Sequence, residues 1–300
     1  MSLKEQILQL KKEKNAIILA HFYQTPDILE VADIVGDSFE LARRARDAKE
    51  QVILLCGVRF MAESAKILNP DKTVLHPQPL AGCPMADMID APAVVELKKK
   101  HPGAVVVCYV NSSAAVKAES HICCTSSSAV KIVKAIPEKD IIFIPDKNLG
   151  AYVAEQVPEK NIILYDGFCP IHNQMTTGDV QSARAAHPGA KFIAHPECVM
   201  PVLELADFVG STAAIIDYAK NSDAKEFIIG TEVGVIEWLK RLCPDKIFHP
   251  LSQRMFCINM KKNTIQDVYD SLAEMKHEVE MSQGEIQGAY KSLDAMVNAI

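Results

Sequence analysis

The chain has 300 residues, 49% of them hydrophobic, and a formal charge of −6, enough apolar material for one large domain or two to three small ones. No basic block interleaved with aromatic residues occurs, which argues against nucleic acid as a partner. No apolar run approaches the roughly 18 residues that span a bilayer, so the expectation is a cytoplasmic protein with no membrane contact.

The opening MSLKEQILQLKKEK reads as a charged amphipathic helix with no apolar signal core. NAIILAHFY (15–23) is a β-branched-rich apolar run, the pattern of a buried parallel strand. ADIVGDS (32–38) is a short strand ending in a hydroxyl residue, and FELARRARDA continues it as a helix. VILLCGVRFMAESAKILNPDK (52–72) gives strand, turn, helix and proline-led stop, and TVLHPQPLAGC (73–83) adds one more strand and a cysteine. The series then recurs. GAVVVCYVN (103–111), SHICCTS (120–126), IIFIPDKNLGAYVAEQVPEK (141–160) and NIILYDGFC (161–169) form a second round. GAKFIAHPE (189–197), ADFVGST (206–212), FIIGTEVGVIEWLKRLCPDK (227–246) and IFHPLSQRMFC (247–257) form a third.

The spacings make the repeat quantitative. Ser38, Ser126 and Thr212 each follow His21, Tyr109 and His195 by 17 residues, and Cys83, Cys169 and Cys257 follow those by 45, 43 and 45. Such self-similarity marks three copies of one supersecondary unit. The division is 1–83, 84–169 and 170–257, with a helical tail at 258–300 that closes the third unit onto the first. Alternating strands and helices imply an α/β fold of three homologous three-layer αβα units with parallel sheets. Function in such sheets sits beyond the carboxyl ends of the strands. A pseudo-threefold arrangement therefore points all three active edges at one cavity.

Nine cysteines in a reducing compartment speak against a disulfide framework, which leaves metal binding, catalysis or burial. The repeat selects among them. Cys83, Cys169 and Cys257 are equivalent, whereas Cys56, Cys108, Cys123, Cys124, Cys198 and Cys243 have no repeat partners and read as core, Cys198 least securely because it adjoins His195 and Glu197. Three thiolates about a threefold axis suit a 4Fe–4S cube with one iron left open. A zinc site with a fourth water ligand and three structural cysteines are the competing readings.

The strand-end pairs His21 with Tyr23, Tyr109 with Asn111 and His195 with Glu197 are spaced i, i+2, which puts both members on one side of an extended chain. Glu197 is the one carboxylate among them and the candidate general base. Ser38, Ser126 and Thr212 stand at strand-to-helix turns, where a hydroxyl caps the next helix and free N–H groups suit an anion. His172, close behind Cys169, also falls near this site.

AHFYQ, VGDS, GVRFMAESAKILNPDK, YVNSS, PDKNLG, HPE and VGST, taken with the three cysteines, resemble the quinolinate synthase family, the A-type iron–sulfur proteins of NAD biosynthesis, over roughly residues 5–275. The resemblance implies one 4Fe–4S cluster on Cys83, Cys169 and Cys257. It implies condensation of iminoaspartate with dihydroxyacetone phosphate to quinolinate, phosphate and two waters, with a functional link to an aspartate-oxidising enzyme. Its substrate-contacting positions fall on His21, Ser38, Tyr109, Asn111, Ser126, His195, Glu197 and Thr212, and its active-site tyrosine on Tyr23; Tyr23, Tyr109, His195 and Glu197 form the catalytic set. Phe22 departs from the family pattern and is expected to alter packing alone. This chain lacks the extra cysteines that some relatives carry near the third ligand. An iron–sulfur hydro-lyase for a small hydroxy acid, an electron carrier and a structural zinc protein are the alternatives.

Overall fold

The structure, a computed structural model, describes residues 1–299. The first unit runs α1 (Leu3–Glu13), β1 (Ala16–His21), α2 (Pro26–Val31), β2 (Ile34–Gly36), α3 (Ser38–Asp47), β3 (Val52–Cys56), α4 (Arg59–Leu68) and β4 (Thr73–Leu75). The second has α5 (Ala91–Lys100), β5 (Val105–Tyr109), α6 (Ala114–Ala118), β6 (Ile122–Cys124), α7 (Ala129–Ala135), β7 (Asp140–Ile144), α8 (Lys147–Gln156) and β8 (Asn161–Leu164). The third has α9 (Pro170–Asn173), α10 (Thr177–Ala186), β9 (Lys191–Ala194), α11 (Met200–Leu203), β10 (Phe208–Val209), α12 (Thr212–Asn221), β11 (Glu226–Gly230), α13 (Gly234–Leu242) and β12 (Ile247–Pro250). Two tail helices follow, α14 (Ile265–Glu274) and α15 (Gln283–Asn298).

Each unit builds one four-stranded sheet, and the strand order is the same three times: β2-β1-β3-β4, β6-β5-β7-β8 and β10-β9-β11-β12. Every pairing is parallel. The register repeats as well: Ala20 pairs Cys56, Cys108 pairs Ile144 and Ala194 pairs Gly230. The expected three αβα units are therefore present. The central strands are apolar nearly throughout because helices cover both faces of each sheet. One apolar core runs through all three units, from Leu19 and Ile53 through Val107 and Phe143 to Ile193 and Phe227. Helix ends are set locally. Ser2, Thr176, Thr264 and Ser282 begin α1, α10, α14 and α15 with reciprocal capping boxes. Beyond α5, Gly103 takes φ +88°, the left-handed turn into β5 that a side chain would strain.

The tail departs from its expected position. Residues 258–264 do join the third unit to the first: the Gln24 amide donates to the Met260 carbonyl at 2.8 Å and the Asn263 amide to the Gly57 carbonyl at 2.8 Å. Helix α14 lies on α1 and α2 of the first unit, but α15 packs on α6, β6 and α4, across the seam between the second unit and the first. The reason is complementary burial. β6 is a sheet edge, and the apolar stripe Ile286, Ala289, Leu293, Met296 and Val297 covers it. Phe22 packs against Trp238 of α13, with ring centroids 6.0 Å apart.

Leu293 is fully buried in this seam. Leu293→Ala should cost about 2–5 kcal/mol, as other Leu-to-Ala cavities do, read as a lower denaturant midpoint; a loss below about 1 kcal/mol would show that the site collapses without α15 packing.

Candidate active site

The carboxyl ends of the three sheets open into one cavity of about 220 Å³. Every residue selected from the sequence lines it: Cys83, Cys169 and Cys257; His21, Tyr23, Tyr109 and Asn111; Ser38, Ser126 and Thr212; and His172, His195 and Glu197. Phe60, Met85, Phe256 and Ile258 supply apolar walls. No lysine or arginine lines the cavity among the described residues.

The cysteines share a local device. Each is followed by one helical turn, and its carbonyl accepts the N–H four residues on: Asp87 at 3.2 Å for Cys83, Asn173 at 2.9 Å for Cys169 and Lys261 at 3.2 Å for Cys257. The turn aims backbone N–H groups at the sulfur, from Ala86 and Met85, from His172, and from Met260 and Asn259. Burial outweighs them. It pushes the Cys83 thiol up to about 12, Cys169 well above its usual range and Cys257 also upward. These three alone among the nine cysteines are partly exposed; the other six, Cys198 included, are buried.

Two buried carboxylates stand behind two of the thiols and escaped the sequence reading. Asp146 accepts the Cys169 N–H at 3.2 Å, and Glu232 accepts the Cys257 N–H at 3.1 Å. They occupy one repeat position, two residues beyond Ile144 and Gly230; the first unit has Val58 there, two beyond Cys56. Their signal was the acidic residue recurring in FIPDK and IGTEV. It was masked because Asp146 also caps α8.

The strand-end pairs differ from the extended geometry expected of them. After His21 and Ala194 the chain turns, and the Tyr23 and Glu197 N–H groups donate back to Nδ1 of His21 at 3.2 Å and of His195 at 3.3 Å. That bond fixes the tautomer, so Nε2 carries the proton in both rings. The hydroxyl turns differ too. Asp37 and Ser211 cap α3 and α12, which leaves Ser38 and Thr212 one residue inside the helix with hydroxyls free of capping. In the second unit Ser128 precedes α7, and Ser126 lies earlier in the turn.

These groups form one continuous polar chain. Thr212 Oγ1 lies 2.9 Å from the Tyr23 hydroxyl, which lies 2.8 Å from Thr231 Oγ1. Thr231 reaches His172 Nε2 at 3.0 Å, and His172 Nδ1 lies 2.8 Å from Glu197 Oε2 and 3.2 Å from Cys169 Sγ. His195 Nδ1 is 3.4 Å from Glu197, and its Nε2 donates to Ser126 at 3.1 Å. Thr231 was not selected from the sequence, and nothing in its spacing marks it. Asn111 Oδ1 is buried and has no partner among the described residues.

Burial dominates the protonation of this chain. It lowers His21 to about 3 and His195 to about 4, so both rings are neutral at pH 7. It raises Tyr23 and Tyr109, helped by the nearby Glu197 charge, and both remain phenols. Burial also works to raise Glu197, but the His172 and His195 imidazoles and hydrogen bonds from His172 and Tyr109 prevail and hold it at about 2. Glu197 thus stands ionised beside neutral His21, His195, Tyr23 and Tyr109.

Fold and cavity together define an enzyme built from three α/β repeats around a polar pocket with a thiol from each repeat. Residues 5–298 match the family model described as quinolinate synthetase A protein. Curated quinolinate synthases are similar along almost the whole length: 54% identity to that of Caldicellulosiruptor bescii over 295 residues, covering 98% of this chain and 97% of the relative. Identity is 52% to that of Alkaliphilus metalliredigens, with 98% and 97% covered, and 51% to that of Clostridioides difficile, with 96% and 95% covered. The chain belongs to the quinolinate synthase family, enzymes of NAD biosynthesis. No helix among the described residues is long and apolar enough to cross a membrane.

The neutral imidazoles set a pH dependence. Below their ordinary value of 6.5 the unfolded chain binds protons that folded His21 and His195 refuse until about 3 and 4. Stability therefore falls as pH drops through that window. Glu197 adds a loss below 4.5 as it is protonated toward about 2. The melting temperature of metal-free protein should decline steadily from pH 6.5 to 4, and His195→Gln should flatten the decline. A constant melting temperature across this range contradicts neutral buried rings.

Proposed function

We propose that the chain condenses iminoaspartate with dihydroxyacetone phosphate to quinolinate, releasing phosphate and two waters, on a 4Fe–4S cluster held by Cys83, Cys169 and Cys257. The observation that carries this reading is the convergence of the three thiols: one per unit, each in the loop after the fourth strand of its sheet, lining one cavity. The donor set fits the group. Three unpaired thiols whose pKa values burial raises are costly to ionise alone, and cluster iron would take the place of their protons. When bound, a cluster with three protein ligands supplies one open iron, a Lewis acid for a substrate hydroxyl or carbonyl oxygen.

The protein's own groups divide the remaining work. Iminoaspartate carries two carboxylates and its partner a phosphate, so the substrates are small and anionic. Lacking lysine and arginine, the cavity offers them neutral donors: His21 Nε2–H, the Ser38, Ser126 and Thr212 hydroxyls, and the N-termini of α3 and α12. Neutral donors bind an anion without trapping the product. The Asn111 carbonyl faces the same space and suits the imine N–H. Glu197 is the base that drives the proton abstractions, and it acts with His172. A carboxylate held near 2 is a weak base by itself. His172 Nδ1 lies 2.8 Å from its Oε2, so the pair can share the abstracted proton. Thr231 links that ring to the Tyr23 hydroxyl, a path for the proton toward a departing hydroxyl. Tyr109 holds the Glu197 carboxylate by a hydrogen bond, and the His195 Nε2–H, beside Ser126, is placed to donate to developing negative charge. An aspartate-oxidising enzyme is the partner that would supply the imine.

Anaerobically purified protein should hold about four irons per chain. Cys83→Ser, Cys169→Ser and Cys257→Ser should each lose them, whereas Cys56→Ser and Cys243→Ser should not; stoichiometric zinc without a visible absorption band would refute the cluster. Glu197→Gln should lower quinolinate turnover by about 10²- to 10⁴-fold with iron retained. His172→Asn should cost a similar factor, and the double variant little more, because the pair acts as one unit. Near-normal turnover in Glu197→Gln, with iron intact, removes Glu197 from the chemistry.

A further inference from the structure

A second group of metal-ligating side chains lies at the opposite, amino-terminal edge of the third sheet. His187 caps the C-terminus of α10, Glu226 opens β11, and His249 sits in β12 beside Ile228. Glu226 Oε1 lies 2.8 Å from His249 Nε2 and 3.5 Å from His187 Nδ1. One donor atom from each residue falls within 4.8 Å of the other two. The two rings stack, centroids 3.5 Å apart and 13° from parallel. All three side chains are between a quarter and a third exposed, so the cluster is open to solvent.

The repeat supplies an internal control. The positions of His187, Glu226 and His249 are held by His101, Asp140 and Ile163 in the second unit and by Glu13, Val52 and Leu75 in the first. The same fold therefore forms twice without the triad, and packing does not require it. Two imidazoles and one carboxylate oxygen converge there on one solvent-open point. A divalent ion satisfies both rings and the carboxylate together.

We infer that His187, Glu226 and His249 bind one divalent transition metal of the zinc class, with water in the fourth position. Tetrahedral zinc with bonds of 2.0–2.1 Å sets its ligand atoms about 3.3 Å apart, close to the 2.8 and 3.5 Å found here. The stack holds the in-plane nitrogen lone pairs of the two rings in separate parallel planes, so one ring must turn out of the stack to share the ion, which their partial exposure permits. The ion ties α10 to β11 and β12 on the side of the sheet remote from the cavity, so its role is to brace the third unit.

The test uses anaerobic holoenzyme, whose cavity thiols are occupied, dialysed against micromolar free Zn²⁺. One zinc per chain should bind beyond the cluster iron. His249→Ala and Glu226→Gln should each weaken it by at least about tenfold with iron content and circular dichroism unchanged, and His101→Ala should leave it intact. Co²⁺ in place of zinc should give weak visible bands alone; an intense near-ultraviolet band would report thiolate ligation and assign the metal to the cavity cysteines instead. No retained zinc, or zinc unchanged in both variants, overturns the site.

Discussion

Three parallel sheets must deliver their carboxyl ends to one enclosed space, and everything else in this chain answers to that constraint. The shared strand order and register carry His21, Tyr109 and His195 to the same height in their sheets. The short turns that follow carry the three thiols inward. Bringing so many polar groups into a small volume removes their water. Desolvation then decides the charge states, leaving imidazoles and phenols neutral and thiols protonated. Glu197 remains ionised because His172, His195 and Tyr109 converge on it.

A threefold frame holds a site that is not threefold. The strand-end residues are histidine, tyrosine and histidine, and Asp146 and Glu232 have Val58 as their counterpart. Repetition positions the backbone, and substitution at equivalent points gives each wall a different chemistry. The condensation proposed above, which would join two unlike substrates, calls for that inequality.

Much of this was legible because it depends on spacing. Constant intervals of 17 and about 44 residues picked the cysteines and the residues lining the cavity, and alternating strands and helices gave the sheets. What escaped depends on local geometry. Whether Ser38 or Asp37 caps α3 turns on a single residue of register, and a sequence pattern does not resolve that. The i, i+2 pairs lie in turns because His Nδ1 accepts the N–H two residues on, a bond with no sequence signature. The amphipathic stripe of α15 announced that it would be buried, but not that the edge strand β6 would receive it. Thr231 matters through whom it touches, and contacts between distant segments are invisible along the chain.

The chain joins the first unit to the second and the second to the third, but the third meets the first through non-covalent contacts, among them Tyr23 with Thr212 and Thr231, Phe22 with Trp238, and residues 258–264 with Gln24 and Gly57. The ring is thus closed at its last seam without covalent continuity. Cys83 and Cys257 are 174 residues apart, so at ~5–20 residues per second the first thiol leaves the ribosome ~10–35 s before the last. Through that interval two incomplete walls stand open, with their sulfurs exposed to whatever metal or oxidant the surroundings hold. The pocket is complete only once the third unit has been made and has docked on the first, a late event in the life of the nascent polypeptide.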